Sequence, residues 1–185
     1  SIEQPLPGHL AYALDEKMLR EAESSSLTAL IVPAEIKSSK KPLIQSRHPK
    51  LAWSILLGLF NPSRTYSKTI SDKAIVAKTA KIGKDVTIEP YASIGENVTV
   101  GDRSVIRSFA YINENSKVGE DTLIHPHAVL YPKTQVGNRV VIHAGAVLGS
   151  DGFGYVFDGK KQAKVPQVGN VVIEEGAKVH ASVGA

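Results

Sequence analysis

The chain has 185 residues, 42% of them hydrophobic, a net charge of +4 and no cysteine. That length suits one large or two small globular domains, and disulfide and thiol chemistry are excluded. No apolar run approaches the roughly 18–20 residues of a spanning helix, no signal-peptide pattern opens the chain and no block of like charges marks a nucleic-acid surface, so the expectation is a soluble, intracellular protein whose basic balance mildly favours acidic partners.

Residues 1–62 read as a small α/β unit. "HLAYAL" (9–14) alternates as a strand does. Asp15 then stands where a helix cap belongs, opening a helix through Ser24 with Met18, Leu19 and Ala22 along one side. "LTALIVP" (27–33) is an apolar run closed by proline and fits a buried strand; "KPLIQ" (41–45) predicts another. Pro49 occupies a helix start, and "KLAWSILLGLF" places Leu51, Ile55, Leu56 and Leu59 at helical spacing until Asn61-Pro62 stops it. Residues 63–68 read as a linker.

From Ile70 the grammar changes. Every sixth residue through Leu148 is Ile, Val or Leu without exception. A second column two residues earlier, from Ala74 to Ala146, is small or β-branched throughout, and glycine often follows the aliphatic. The period is too short for a helical repeat and too regular for separate hairpins, and it matches the hexapeptide β-helix. Three six-residue units then close one triangular 18-residue coil, with strands stacked at about 4.7–4.9 Å along the axis. The aliphatic column points inward and the small column leaves room at the corners.

The pattern breaks once. From Leu148 to the next aliphatic rung, Ile173, is 25 residues where a hexad would be six, so about 19 are inserted, at about 149–170. An insertion in a solenoid leaves the stack as a loop on one face, often the binding face. The repeat resumes at Ile173 and Val179, and the β-helix runs over 69–185. No capping element precedes Ala185, which predicts an incomplete solenoid.

With both regions read, the segment "GSDGFGYVFDGKKQAKVPQVGNVVIEEG" resembles the GADGFG…KIPQxG stretch of UDP-3-O-acylglucosamine N-acyltransferases. "GHLAYALDEKMLREAESSSLTALIVP" looks like that family's uridine-binding domain, and "HPKLAWSILLGLFNP" like the helix it places before its β-helix. The resemblance implies a small α/β N-terminal domain on a left-handed parallel β-helix, left-handed against the usual crossover rule. It implies transfer of a 3-hydroxyacyl chain from acyl carrier protein, held as a phosphopantetheine thioester, to the 2-amine of a UDP-glucosamine-type lipid precursor. No cofactor and no catalytic metal are implied. A cytoplasmic homotrimer with sites between subunits follows, with at most peripheral membrane contact and no nucleic-acid partner.

The family's residues carry over only in part. Of the two aromatics that sandwich uracil, one falls on Tyr12 and the other on Met18, which cannot stack as a ring does. The nucleotide-contacting Asn falls on Asp15, whose charge would repel a phosphate. Against this stands a structural reading, with Tyr12 and Met18 in the core and Asp15 as a cap. In the insert, Asp151, Gly152, Phe153 and Gly154 carry the opening motif, and Lys164, Val165, Pro166 and Gln167 close it. The resemblance makes them a substrate and acyl-site loop, with Phe153 against an acyl chain and Lys164 toward a phosphate; the alternative is a loop folded on itself. "GSDGFG" lacks the strand–helix setting of a dinucleotide fingerprint. The family's general base, a His followed by Asn, has no counterpart in this sequence and is expected beyond Ala185; His180 falls where the family has Gly.

Three other readings fit parts of the pattern. His125 and His143 lie one coil apart with His127 nearby, which suggests a zinc protein of the γ-carbonic-anhydrase kind, although the spacing is not that enzyme's. A hexapeptide sugar acetyltransferase using acetyl-CoA shares the hexads but not the insert. A non-catalytic scaffold accommodates Met18 and Asp15.

Overall fold

A computed structural model describes residues 6–62 and 64–180 and a backbone strand at 183–184. Ser63 of the expected linker and the chain end at Ala185 lie outside the described residues. The chain divides into two compact units, Ser1–Thr65 and Tyr66–Ala185.

In the first unit, strands β1 (Leu10–Tyr12), β2 (Ala29–Pro33) and β3 (Leu43–Ser46) form a parallel sheet in the order 1-2-3. Helix α1 (Glu16–Glu23) connects β1 to β2, and α2 (Pro49–Phe60) follows β3. Leu30, Ile31 and Val32 in the central strand are fully buried, as a sheet covered on both faces requires. Asp15 is the α1 cap: its side chain accepts the Met18 N–H at 2.8 Å. Met18 and Leu19 pack partly buried against the cluster around Ala22.

Helix α2 departs from the expected stripe. Leu51 (58%), Ile55 (58%) and Leu59 (70%) are exposed, whereas Ala52, Trp53 and Leu56 are the half-buried positions. The apolar spacing was real, but the helix is apolar over more of its circumference than the sheet covers, and Trp53 sets which face turns inward, its ring meeting Tyr12 edge-on at 6.0 Å.

The second unit is a left-handed parallel β-helix. Two-residue strands stack in three sheets. Face I runs from Ile75–Val76 to Val183–Gly184, face II from Lys81–Ile82 to Val172–Ile173, and face III from Thr87–Ile88 to Lys178–Val179. Registers pair residues one coil apart, such as Tyr111 with Val129 and Lys117 with Gln135. From Ile88 to Leu148 every sixth residue is buried, and Ile70, at the open end, is half exposed. The small column fills the corners. Its hydroxyls are paired: Thr122 Oγ1 donates to the Gly137 carbonyl and receives the Val140 N–H, and Ser104 does the same with Gly119 and Thr122.

The corners turn through the left-handed region at six-residue intervals, from Asp85 (φ 55°) to Arg139 (φ 54°), in residues that are almost all not glycine. Side chains at equal corners therefore stack. Tyr91, Phe109 and His127 form one ladder, with centroids 5.3 and 5.2 Å apart. Another corner alternates in charge: Lys68 pairs with Asp85, Arg103 with Asp121 and Glu120, and Arg139 with Glu175.

Candidate functional site

The insert leaves the coil at the corner between faces I and II. At its entry Gly149 has φ +82°, and a Cβ there would stand 3.0 Å from Thr134 Oγ1 and 3.2 Å from Tyr131 Cβ, so glycine is needed for both conformation and space. At its exit Asn170 Nδ2 donates to the Lys133 carbonyl at 3.3 Å and Val171 is buried. Both ends are thus seated on the 131–134 corner of the coil below.

Between these anchors the chain folds back as an antiparallel hairpin, Tyr155–Phe157 against Gln162–Lys164. Asp158 shapes the tip: its Oδ1 accepts the N–H groups of Lys160 and Lys161, which holds its carboxyl below the usual range. At the base Asp151 pairs with Lys164, and Val165 N donates to Gly154 O at 2.8 Å. The hydrogen bond from the Asp151 carboxylate, then its charge, raises the Lys164 pKa. A Cβ on Gly154 would stand 2.8 Å from Gln167 Nε2. Among the described residues, the hydrogen bonds and ion pairs of 151–168 all have partners within the insert.

The two motif ends quoted from the sequence therefore meet: Asp151 with Lys164, Gly154 with Val165 and Gln167. The ammonium of Lys164 is engaged by a carboxylate rather than standing free. Phe153 joins none of these bonds and is 95% exposed, its ring tilted against Tyr155 at 5.2 Å. Phe157 and Val168 are exposed as well, which gives the hairpin an apolar surface unusual for a loop.

In the first unit Tyr12 is half-buried and Asp15 spends its carboxylate on the α1 cap. Trp53, the sole tryptophan, is the residue the sequence reading passed over. Its being the one tryptophan of the chain, set in an apolar helix, was the available signal.

The histidines do not converge. His125 and His143 stack at 5.2 Å and 9° as their one-coil spacing predicts, but His127 belongs to the Tyr91–Phe109 ladder. Imidazole lone pairs lie in the ring plane, so parallel stacked rings aim them side by side and not at one ion. Among the described residues no three His, Asp or Glu side chains form a group able to hold a metal. Within one chain, the three histidines of the zinc reading are therefore not brought together. The column does gain a member: His180 stacks on His143 at 3.9 Å.

A family model described as the GMPPB C-terminal domain matches residues 70–152, the repeat itself. Curated relatives match much further. UDP-3-O-acylglucosamine N-acyltransferase 1 of Legionella pneumophila (strain Paris) is 44% identical over 98% of this chain and 52% of its own length. The UDP-3-O-acylglucosamine N-acyltransferase of Syntrophotalea carbinolica is 52% identical over 98% of this chain and 53% of its own. Over nearly its whole length the chain is homologous to UDP-3-O-acylglucosamine N-acyltransferases. It spans about half the length of these curated relatives. Among solved structures, WeeI from Acinetobacter baumannii AYE aligns over 95% of this chain and 93% of that one, at 14% identity and a TM-score of 0.45. Both units of the chain, and the insert with them, fall inside the matched stretch. No helix among the described residues is long and apolar enough to cross a membrane.

Proposed function

We propose that this chain serves an N-acyltransferase that moves a 3-hydroxyacyl group from acyl carrier protein to the 2-amine of UDP-3-O-acylglucosamine in lipid A biosynthesis. The observation that carries this reading is identity of 44–52% to enzymes of that name across nearly the whole chain, insert included. In the reaction the amine attacks the thioester carbonyl. A C–N bond forms, the C–S bond breaks, the pantetheine thiol leaves and the amine gives up a proton to a general base. The sequence has six histidines and none is followed by Asn. On this reading the chain supplies the substrate platform, and the family's His-Asn element supplies the base.

Tyr12, with Met18 and Asp15 beside it on α1, takes the uridine end, and Trp53 backs Tyr12. Asp151, Gly152, Phe153, Gly154, Lys164, Val165, Pro166 and Gln167 form the acyl-side loop, with Phe153 as the exposed apolar contact. No cofactor or metal enters the chemistry. The enzyme works as a cytoplasmic homotrimer with at most peripheral membrane contact.

The test is an assay of the protein extended to the full length of its relatives, with 3-hydroxyacyl-acyl carrier protein and UDP-3-O-acylglucosamine. The expected product is the N-acylated sugar, and Phe153→Ala raises KM for the acceptor or donor. Turnover with acetyl-CoA instead assigns the chain to the sugar acetyltransferases; no product from either donor overturns acyl transfer.

A further inference from the structure

One column of side chains is not used by the reading above. It climbs the corner between faces III and I, one residue per coil: Glu89, Arg107, His125, His143 and His180. The lower pair is an ion pair, Arg107 Nε to Glu89 at 3.3 Å, both side chains being about four-fifths buried. Glu89 also accepts from Ser108 N and Ser108 Oγ. Burial pushes the Glu89 carboxyl up, but these bonds and the Arg107 charge more than offset it and hold it low. Its charge is therefore already engaged below the rings.

Above stand the three imidazoles. His125 and His143 are 5.2 Å apart, His143 and His180 only 3.9 Å. Strand register sets the first contact, since Ile124 pairs with Ile142. The second bridges the insert: Ile142 pairs with Val179, and the hairpin lies between these residues in the chain. The tightest ring contact of the column thus joins the coil before the insert to the coil after it. Around the column stand Lys178, on the outward side of the strand leading to His180, and His127, Tyr91 and Tyr111 on the neighbouring column and strand.

We propose that this imidazole column is an acid-sensitive clamp on the coil that carries the insert: neutral, its stacked rings hold the chain on either side of the hairpin in register, and protonated, it opens that coil while the coils below stay folded. Like charges on adjacent rungs repel at close range; His125 and His143 are half-buried and His180 is exposed. Among the described residues the acidic partner that acts on His125 is Glu89, and Arg107 stands between them. Burial first, then His143 and Arg107, depress the His125 pKa below 6.5. A histidine whose folded pKa is depressed contributes stability that is complete above its unfolded value and lost as pH falls below it. The clamp is therefore closed at pH 7 and above and loosens on acidification. The proposal is independent of the reaction the insert serves.

Hydrogen exchange of the purified protein at pH 7.5 and 5.5, corrected for intrinsic rates, tests it. Amides of 141–147 and 172–180 should lose roughly tenfold in protection at the lower pH, while those of 99–112 keep theirs. His143→Gln removes the middle rung but keeps a planar polar side chain; burial still depresses His125, so the loss of protection on acidification should be clearly smaller than in the parent protein. Should that variant fold poorly, His180→Gln at the top of the column is read in the same way. Loss spread evenly over all coils, no loss, or an unchanged acid response in the variants overturns the clamp.

Discussion

Gly119 lies so close to the next coil that a Cβ on it would stand 2.5 Å from the carbonyl carbon of Gly137. The contact is backbone against backbone, so nothing can swing aside. Gly101 meets Gly119 in the same way, at 2.6 Å. Gly119→Ala should therefore force two coils apart and cost about 2–4 kcal/mol, within the range of severe overpacking. Gly145→Ala, where a Cβ meets nothing within 4 Å but φ is +74°, should cost only about 1–2 kcal/mol of backbone strain. Urea unfolding of both variants measures the contrast, and equal losses would contradict it.

The corners predict the opposite sign. Lys133 holds φ at 63° with no ion pair among the described residues, and Asn115 holds 59°. An L-residue with a long side chain is strained there, whereas Asn tolerates the region. Lys133→Gly should raise stability by about 0.5–1 kcal/mol and Asn115→Gly by close to none. Thermal melts of the two proteins at neutral pH decide it.

Thr122 is buried and its hydroxyl is tied twice to the next coil, giving to Gly137 O at 2.9 Å and taking from Val140 N at 3.2 Å. Thr122→Val preserves shape but strands the Val140 N–H. The expected cost is about 1–3 kcal/mol. A loss that small beside that of Gly119→Ala, with the same denaturant slope, is the result to look for.

Removing the Asp151 carboxylate should leave the solenoid's unfolding midpoint unchanged but free the base of the hairpin. In Asp151→Asn the Lys164 pKa falls toward its ordinary value, because the hydrogen bond and charge that raise it are gone. Amides of 155–164 should then exchange faster. In the parent protein a raised lysine pKa means that the pair contributes below the unfolded pKa and fades as pH rises through the folded one, so the two proteins should converge at strongly alkaline pH. Side-chain NMR of Lys164 follows the shift.

The β-helix was legible in advance because its code is a count. Six-residue spacing from Ile70 to Leu148 specifies strand, corner and inward face at once, and Leu148, Ile173 and Val179 fixed where the count lapses and resumes. Asp15, Pro49 and the Asn61-Pro62 stop were equally readable, since each residue carries a local mechanism. Leu51, Ile55 and Leu59 were not: periodicity marks an apolar stripe without saying what covers it. The partnership of Asp151 with Lys164 was also hidden, because an ion pair across a hairpin depends on strand register that the loop sequence does not count out. The Tyr91, Phe109 and His127 ladder lay open at one-coil spacing and needed only to be read by eighteen instead of by six.

The insert asks almost nothing of the solenoid that bears it. Among the described residues the bonds of 151–168 close on themselves, and Leu148 and Ile173 take up neighbouring positions in the count as though nothing intervened. Joining Ser150 directly to Asn170 would return Ile173 to the sixth place after Leu148. The corner behaves as a socket and the hairpin as a cassette: the scaffold can conserve its own arithmetic while the residues of the hairpin are exchanged as one piece.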